Sequence, residues 1–148
     1  HKTVDAGNQG KMMPVLVDTN VIVDVLTDDP QWADWSIEQL EANSAARLII
    51  NPVVYAELCF GSPSVEFVDD VVRRFAITYH EIPRQGLFRA AKAFARYKGR
   101  KGTKASVLPD FFIGGHAEAS GISLLTRDTK RLSAYFPGVK LICPQKPE

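Results

Sequence analysis

The feature that most constrains the fold is a regular alternation of short apolar runs with longer segments of helical periodicity. Five runs are predicted to be short strands, most of them apolar on both faces, namely Val15–Val17, Leu48–Ile50, Ile77–Tyr79, 122–125 and 139–142. Between them lie segments with helical spacing at 20–26, 32–42, 52–60, 65–75, 84–98, 109–120 and 129–136. This alternation predicts an α/β fold, with a central, mainly parallel five-stranded sheet and helices on both faces.

Residues at the ends of two predicted helices support these boundaries. Asn51 precedes Pro52, which places a capping residue before a proline at the first helical position. Pro109 and Gly121 bracket the sixth helix in the same way. We therefore expect helices that begin at residues 52 and 109.

The length of 148 residues predicts one domain, over 13–148, that needs no disulfide bond for its core. Residues 1–12 are polar and unpatterned, and we interpret them as the remnant of an expression tag. The two cysteines, Cys59 and Cys143, lack the spacing of a zinc site and fit a reducing compartment. No apolar run approaches the roughly 18 residues of a membrane span. We expect a soluble, cytoplasmic protein.

The net charge of +1 hides a strong asymmetry. Residues 13–72 contain eleven acids and one base, a net charge of −10, whereas residues 73–148 contain fifteen bases and five acids, a net charge of +10. Such a division points to a charged ligand, nucleic acid among them.

Three aspartates fall near one edge of the predicted sheet. Asp18 directly follows the first strand, Asp128 follows the fourth, and Asp110 begins the helix that leads into the fourth strand. Ligands of open parallel sheets bind beyond the carboxyl ends of the strands. The helix runs antiparallel to the strand that follows it, so Asp110 and Asp128 can share that edge. Each aspartate could instead be a helix cap or a partner of the helix dipole.

Glu57 is the fourth candidate, because its predicted helix carries no other charge. An unpaired carboxylate facing a core costs several kcal/mol or becomes protonated. Something must compensate the charge of Glu57, or its side chain must reach water.

Four acids brought to one place would repel each other unless a cation lay among them. Hard oxygen ligands of this kind suit Mg²⁺ or Mn²⁺ rather than zinc. Our hypothesis is that Asp18, Asp110 and Asp128 bind the metal, while Glu57 binds it or orients a water. Such an ion lowers the pKa of water and stabilises the developing charge of a phosphodiester under attack.

These motifs together resemble the PIN domain family, and most of all toxins of the VapC type. The resemblance rests on four segments in order: Val-Leu-Val-Asp-Thr-Asn-Val-Ile, Ala-Glu-Leu, Leu-Pro-Asp-Phe-Phe-Ile-Gly-Gly-His-Ala and Leu-Leu-Thr-Arg-Asp-Thr-Lys. It covers the chain from Met13 to about Ile142 and implies a three-layer, PIN-like α/β fold over 13–148.

The resemblance also implies an activity, cofactors and partners. It implies a homodimeric, Mg²⁺- or Mn²⁺-dependent endoribonuclease that acts on structured RNA such as tRNA or rRNA and is neutralised by a VapB-type antitoxin. Its four catalytic acids correspond to Asp18, Glu57, Asp110 and Asp128, with Thr126 and Asn20 in supporting roles. His116, which departs from the small residues usual after the Pro-Asp motif, is expected to be a satisfied helix residue.

A stretch rich in bases precedes Asp110. Residues 82–109 contain eight bases and no acid, and they end in a glycine-containing loop. We expect this region to bind the RNA backbone through five cations, Arg96, Lys98, Arg100, Lys101 and Lys104. The alternative is a solvated helix end, where bases are favoured by the dipole.

Two other enzyme classes fit the sequence less well. Haloacid dehalogenase-type phosphatases need a second acid where this chain has Asn20, and receiver domains need an acceptor aspartate after the third strand, where it has His80 and Glu81. The surviving alternative is a non-catalytic protein- or RNA-binding module with a PIN-like fold. In such a module the four acids would not converge.

Overall fold

The computed structural model describes residues 13–100, 102 and 107–145. In chain order its elements are β1 (Val15–Val17), α1 (Thr19–Leu26), α2 (Ala33–Ala42), β2 (Leu48–Ile50), α3 (Pro52–Cys59), α4 (Val65–Arg74), β3 (Ile77–Tyr79), α5 (Arg84–Gly99), α6 (Leu108–Ser120), β4 (Ser123–Leu125), α7 (Lys130–Tyr135) and β5 (Leu141–Ile142). The sequence predicted each of these elements, and the fourth and fifth strands are shorter than expected.

The five strands form one parallel sheet in the order β3-β2-β1-β4-β5. Every residue of β1 and β2 is buried, as their apolar sequences predicted, whereas the edge strands β3 and β5 are partly exposed. The three-layer α/β architecture with a central parallel sheet is confirmed.

The order of the strands creates a crevice between β1 and β4. The chain leaves β1 toward β2 on one side and leaves β4 toward β5 on the other. Right-handed crossovers in opposite directions place the connecting helices on opposite faces of the sheet. At such a switch point the loops diverge beyond the carboxyl ends of the strands and leave room for a ligand. Residues that follow β1 and β4 therefore line this crevice.

Two helix ends follow the predicted chemistry. The side chain of Asn51 accepts hydrogen bonds from the backbone N–H groups of Val53 and Val54, both at 3.0 Å, and so caps α3. Gly121 ends α6 in the left-handed conformation, with φ of 64°, which a glycine adopts without steric cost.

Helices α5 and α6 approach so closely that one position between them must lack a side chain. A Cβ atom at Gly115 would lie 2.5 Å from the carbonyl oxygen of Gly86 and 2.9 Å from the backbone nitrogen of Ala90. This close packing fixes α6 against α5. It also fixes the position of Asp110, in the first turn of α6.

His116 lies in the same region and is 3% exposed. Because the Asn51 oxygen already accepts two backbone hydrogen bonds, its amide nitrogen donates to Nδ1 of His116 across 3.1 Å. Burial, and the nearby His80, lower the pKa of His116 to about 4. The imidazole is therefore a neutral, hydrogen-bonded helix residue that links α6 to the cap of α3.

None of the described helices has the length and apolar character that a membrane span requires. Residues 1–12, the predicted tag remnant, lie outside the described part of the chain.

Candidate functional site

Asp18 lies at the centre of the crevice, directly after β1 and at the first position before α1. Its Oδ1 accepts a hydrogen bond from the backbone N–H of Thr19 at 2.7 Å, and its Oδ2 accepts one from the Thr126 hydroxyl at 2.7 Å. The residue is only 6% exposed. Burial raises its pKa to about 6, and the negative charges of Asp110 and Glu57 add to the effect, which the hydrogen bond from Thr126 opposes.

Thr126 and Asn20 connect Asp18 to the loop after β4. The Thr126 hydroxyl, which is fully buried, also accepts a hydrogen bond from the backbone N–H of Asp128 at 3.1 Å. The amide nitrogen of Asn20 lies 3.3 Å from Oδ2 of Asp18 and 3.4 Å from the Thr126 hydroxyl. The side chains of Thr126 and Asn20 therefore hold the ends of β1 and β4 together. The side chain of Asp128 is exposed to solvent.

Glu57 reaches the same crevice from α3. Its Oε1 accepts a hydrogen bond of 2.6 Å from the hydroxyl of Thr19, the first residue of α1. The side chain is half-buried. Thr19 thus supplies part of the compensation that the sequence required, and the pairing could not be predicted because the two residues are 38 positions apart.

Asp110, in the first turn of α6, carries a partner that the sequence analysis missed. Nη1 of Arg131, from α7, lies 2.8 Å from Oδ2 of Asp110. Burial raises the pKa of Asp110, and the charges of Asp128 and Glu57 add to this, whereas Arg131 lowers it. The only signal in the sequence was the position of Arg131 three residues after Asp128, which would bring it to the same edge of the sheet.

The four acids predicted from sequence interact through their charges. The negative charges of Asp110 and Glu57 raise the pKa of Asp18, and those of Asp128 and Glu57 raise the pKa of Asp110. Asp110 is thus the acid whose charge interacts with those of the other three. Two arginines border these acids: Arg131 is paired with Asp110, and Arg127 lies close enough to Asp128 for their charges to interact.

A divalent cation suits this donor set. Asp18 is buried with neutral donors and like charges around it, so within the described part of the chain its ionised form has no positive partner to offset the cost of burial. Hard carboxylate oxygens are the ligands of Mg²⁺ and Mn²⁺. Within residues 13–100, 102 and 107–145, however, no three His, Cys, Asp or Glu side chains are arranged to hold an ion as they stand. The residues fit the ion in charge and chemistry, and side-chain rearrangement would have to bring them around it.

A second buried acid, Asp24 on α1, was not among the candidates. Its two carboxylate oxygens accept hydrogen bonds from Nε and Nη2 of Arg127 at 2.7 and 2.9 Å, and Ser36 donates to it at 2.9 Å. The guanidinium of Arg127 lies 5.5 Å from the ring centroid of Trp32. Because Arg127 stands between Thr126 and Asp128, this ion pair holds the loop after β4 against α1. Asp24 alone in the apolar run of α1 was the signal, the same one that singled out Glu57.

The predicted RNA-binding cations are described only in part. Arg96 and Lys98 lie in the last turn of α5 and Arg100 follows it. All three are exposed. Lys101 and Lys104 lie outside the described residues, so their predicted role stays a prediction.

Comparison with known proteins identifies the fold and the family. The sequence profile of the PIN domain matches residues 15–136. No curated protein sequence matches the chain significantly. Among solved structures, DNA-bound VapBC from Salmonella typhimurium superposes with a TM-score of 0.67 at 20% identity, covering 89% of this chain and 98% of that one. VapBC2 from Rickettsia felis, bound to a promoter DNA fragment, gives 0.64 at 20%, covering 88% and 98%. A toxin–antitoxin complex from Klebsiella pneumoniae gives 0.61 at 23%, covering 84% and 94%.

At these identities the superpositions show a shared fold only. The profile match includes β1 to β4 and the residues that line the crevice. The chain belongs to the PIN domain family.

Proposed function

We propose that this protein is a Mg²⁺- or Mn²⁺-dependent endoribonuclease that acts as a VapC-type toxin. The observation that carries the proposal is the crevice between β1 and β4, where Asp18 is buried beside the charges of Asp110 and Glu57 and has no positive partner among the described residues. The likeness of the fold to chains from toxin–antitoxin complexes supports the biological role.

In this proposal Asp18, Asp110 and Asp128 hold the ion, with Glu57 either a fourth ligand or the group that orients the attacking water. A divalent ion at this place would supply a water of lowered pKa and stabilise the charge that develops on the phosphate. Thr126 and Asn20 fix the carboxylate of Asp18 at the sheet edge. Thr19 fixes Glu57 through its hydroxyl.

Arg131 has a role of its own in the proposal. Its guanidinium lies 2.8 Å from a carboxylate oxygen of Asp110 and is therefore within reach of a ligand bound at that acid. This guanidinium can exchange its hydrogen bond with the carboxylate for one with a phosphate oxygen of the substrate. Both groups are anionic and accept hydrogen bonds from guanidinium N–H groups.

The decisive experiment is incubation of the purified protein with total RNA in Mn²⁺, Mg²⁺ or EDTA, with the cleaved ends mapped by sequencing. Discrete cleavage in either metal and none in EDTA is expected. Asp110→Asn should lose the activity, while Asp34→Asn, which makes the same change at an exposed position of α2, should keep it. Equal cleavage in EDTA would overturn the metal dependence, and equal cleavage by Asp110→Asn would overturn the site.

We further propose that a VapB-type antitoxin neutralises the protein and that it forms a homodimer. Induced expression in a bacterial host without an antitoxin should arrest growth, and expression of Asp110→Asn should not. Light scattering tests the homodimer, which requires twice the mass of one chain. Growth unaffected by the active protein would contradict the toxin role, and a single-chain mass would contradict the dimer.

A further inference from the structure

A cavity beside the acidic crevice has no role in the proposal so far. It has a volume of about 290 Å³ and is lined by Tyr97 from α5 and by Lys130, Arg131, Ala134 and Tyr135 from α7. Arg131 belongs to both places, because the same side chain is bonded to Asp110. The cavity therefore adjoins the carboxylates directly.

The aromatic wall of the cavity is held in place from behind. The Tyr135 ring packs edge-on against Phe111, with the centroids 5.3 Å apart, and lies 6.1 Å from the ring of Tyr97. Phe111 is fully buried. A ring backed by a core residue presents a fixed apolar surface, and a flat ligand gains contact with it at little entropic cost.

The remainder of the wall is positively charged. None of the five lining residues is acidic, and two are cations, Lys130 and Arg131. The guanidinium of Arg100 lies 5.4 Å from the centroid of the Tyr135 ring, and Arg96 donates to the Tyr135 carbonyl oxygen at 3.5 Å. Two cations at the end of α5 thus contact Tyr135, and two at the start of α7 line the same cavity. This combination of ring and charge suits a ligand with a flat π-system and an anionic group, as in a nucleotide.

We propose that this cavity is a nucleotide subsite, which takes one base of a single-stranded RNA against the Tyr135 ring and the adjoining phosphate on Lys130 and Arg131. The inference rests on the proposed ribonuclease function. The volume lies at the lower limit of ligand pockets, which begin at roughly 300 Å³, so it has room for one nucleotide and not for a duplex. Because Arg131 joins the subsite to Asp110, the phosphate held there is the cleaved one or its immediate neighbour.

Two variants and a matched control test the subsite. Lys130→Gln removes one phosphate contact, and Tyr135→Leu removes the stacking ring, with Tyr135→Phe as the version that keeps it. Lys92→Gln is the control, since Lys92 is an exposed lysine of α5 that lies over Phe88 and not in the cavity. Binding of a fluorescent single-stranded RNA hexamer is measured by anisotropy in EDTA, where the proposed cleavage cannot occur.

Lys130→Gln should weaken binding about threefold at 0.1 M salt and reduce the slope of log K against log salt by about 0.7, the value for one contact on a single strand. Tyr135→Leu should weaken it about tenfold and Tyr135→Phe hardly at all. Lys92→Gln should leave both the affinity and the slope unchanged. Adenosine 5′-monophosphate should displace the hexamer at concentrations where inorganic phosphate does not.

Affinities of Lys130→Gln and Tyr135→Leu that both match the wild type would overturn the subsite. So would equal displacement by inorganic phosphate or by an acidic peptide, because the cavity would then bind anions without a base. The proposed function fails separately. If the hexamer binds through Lys130 and Tyr135 and no RNA is cut in Mn²⁺ or Mg²⁺, the subsite stands and the nuclease does not. If RNA is cut with the same KM by wild type and both variants, the nuclease stands and the subsite does not.

Discussion

Two buried carboxylates at the two ends of α1 have opposite surroundings. Asp24 is 2% exposed and receives a guanidinium on both oxygens and the hydroxyl of Ser36. Asp18 is 6% exposed and receives neutral donors alone among the described contacts, while Asp110 and Glu57 add negative charge. Of the cations that the structure describes, one is paired with Asp24 and none with Asp18.

This difference separates structure from chemistry. A buried ion pair with its hydrogen bonds complete holds two segments together, and it has no capacity left for a ligand. A buried carboxylate without a positive partner is costly to ionise, and any cation that binds it recovers that cost. By this criterion Asp24 is a structural residue, and the surroundings of Asp18 support the proposal that it binds a metal ion.

The largest expected effect is on catalysis and concerns Asp18. Asp18→Asn should lower the initial rate of RNA cleavage by about a thousandfold, since loss of a charge-stabilising ligand costs several kcal/mol of barrier. Urea denaturation in EDTA should show a free energy of unfolding no lower than that of the wild type, because the variant removes a destabilising charge. A cleavage rate within tenfold of the wild type would break the comparison.

The next effect is on stability and concerns the opposite acid. Asp24→Asn leaves the guanidinium of Arg127 without its carboxylate and should lower the free energy of unfolding by about 3 kcal/mol. Urea denaturation measures this, with Asp34→Asn as the control expected to change it by less than about 0.5 kcal/mol. A loss below about 1 kcal/mol would show that the Arg127 pair is no more than a surface ion pair.

A pH titration in EDTA distinguishes the charged acid from the neutral buried histidine. The pKa of His116 falls from 6.5 to about 4 on folding. Its contribution to the free energy of unfolding is therefore complete above pH 6.5 and is lost as the pH falls toward 4. Asp18, whose pKa rises from 3.8 to about 6, has the opposite sign, and its penalty is relieved as the pH falls below 6.

Protonation of His116 should lower the free energy of unfolding by about 2 kcal/mol between pH 8 and pH 5. It is obtained as the wild-type free energy of unfolding minus that of His116→Gln, which keeps a hydrogen-bond acceptor for Asn51 and does not titrate. If the difference does not change with pH, His116 is not the titrating group.

The smallest expected effect is on stability and concerns the hydrogen bond from Ser36 to Asp24. Ser36→Ala removes one hydrogen bond to a carboxylate that keeps its guanidinium, so unfolding should become easier by about 1 kcal/mol. Cleavage of RNA should be unchanged. A loss near 3 kcal/mol would mean that the Ser36 hydroxyl matters as much as the ion pair.

Much of the fold was visible in the sequence because local chemistry and the fold agree. Five apolar runs became five parallel strands, Asn51 caps α3, and Gly121 ends α6 in the left-handed region. The acids after β1 and β4 were located by one general property of open sheets, that ligands bind at the carboxyl edge.

The partners of these acids were not predictable in the same way. Arg127 and Asp24 are 103 positions apart, Arg131 and Asp110 are 21 apart, and Thr19 and Glu57 are 38 apart. Nothing in the spacing of a single sequence says which of many bases a given acid will meet. Glu57 and Asp24 are each a lone acid in an apolar helix, yet among the described contacts only Asp24 is paired with an arginine.

The sequence by itself determined the order of the elements, the parallel sheet and the edge at which Asp18, Asp110 and Asp128 would lie, because periodicity, helix caps and crossover handedness are local or general rules. The tertiary structure alone decided which buried charges are satisfied. Whether a carboxylate is neutralised depends on contacts of a few ångströms between residues far apart in the chain, and those are set when α1, α6 and α7 pack around the crevice.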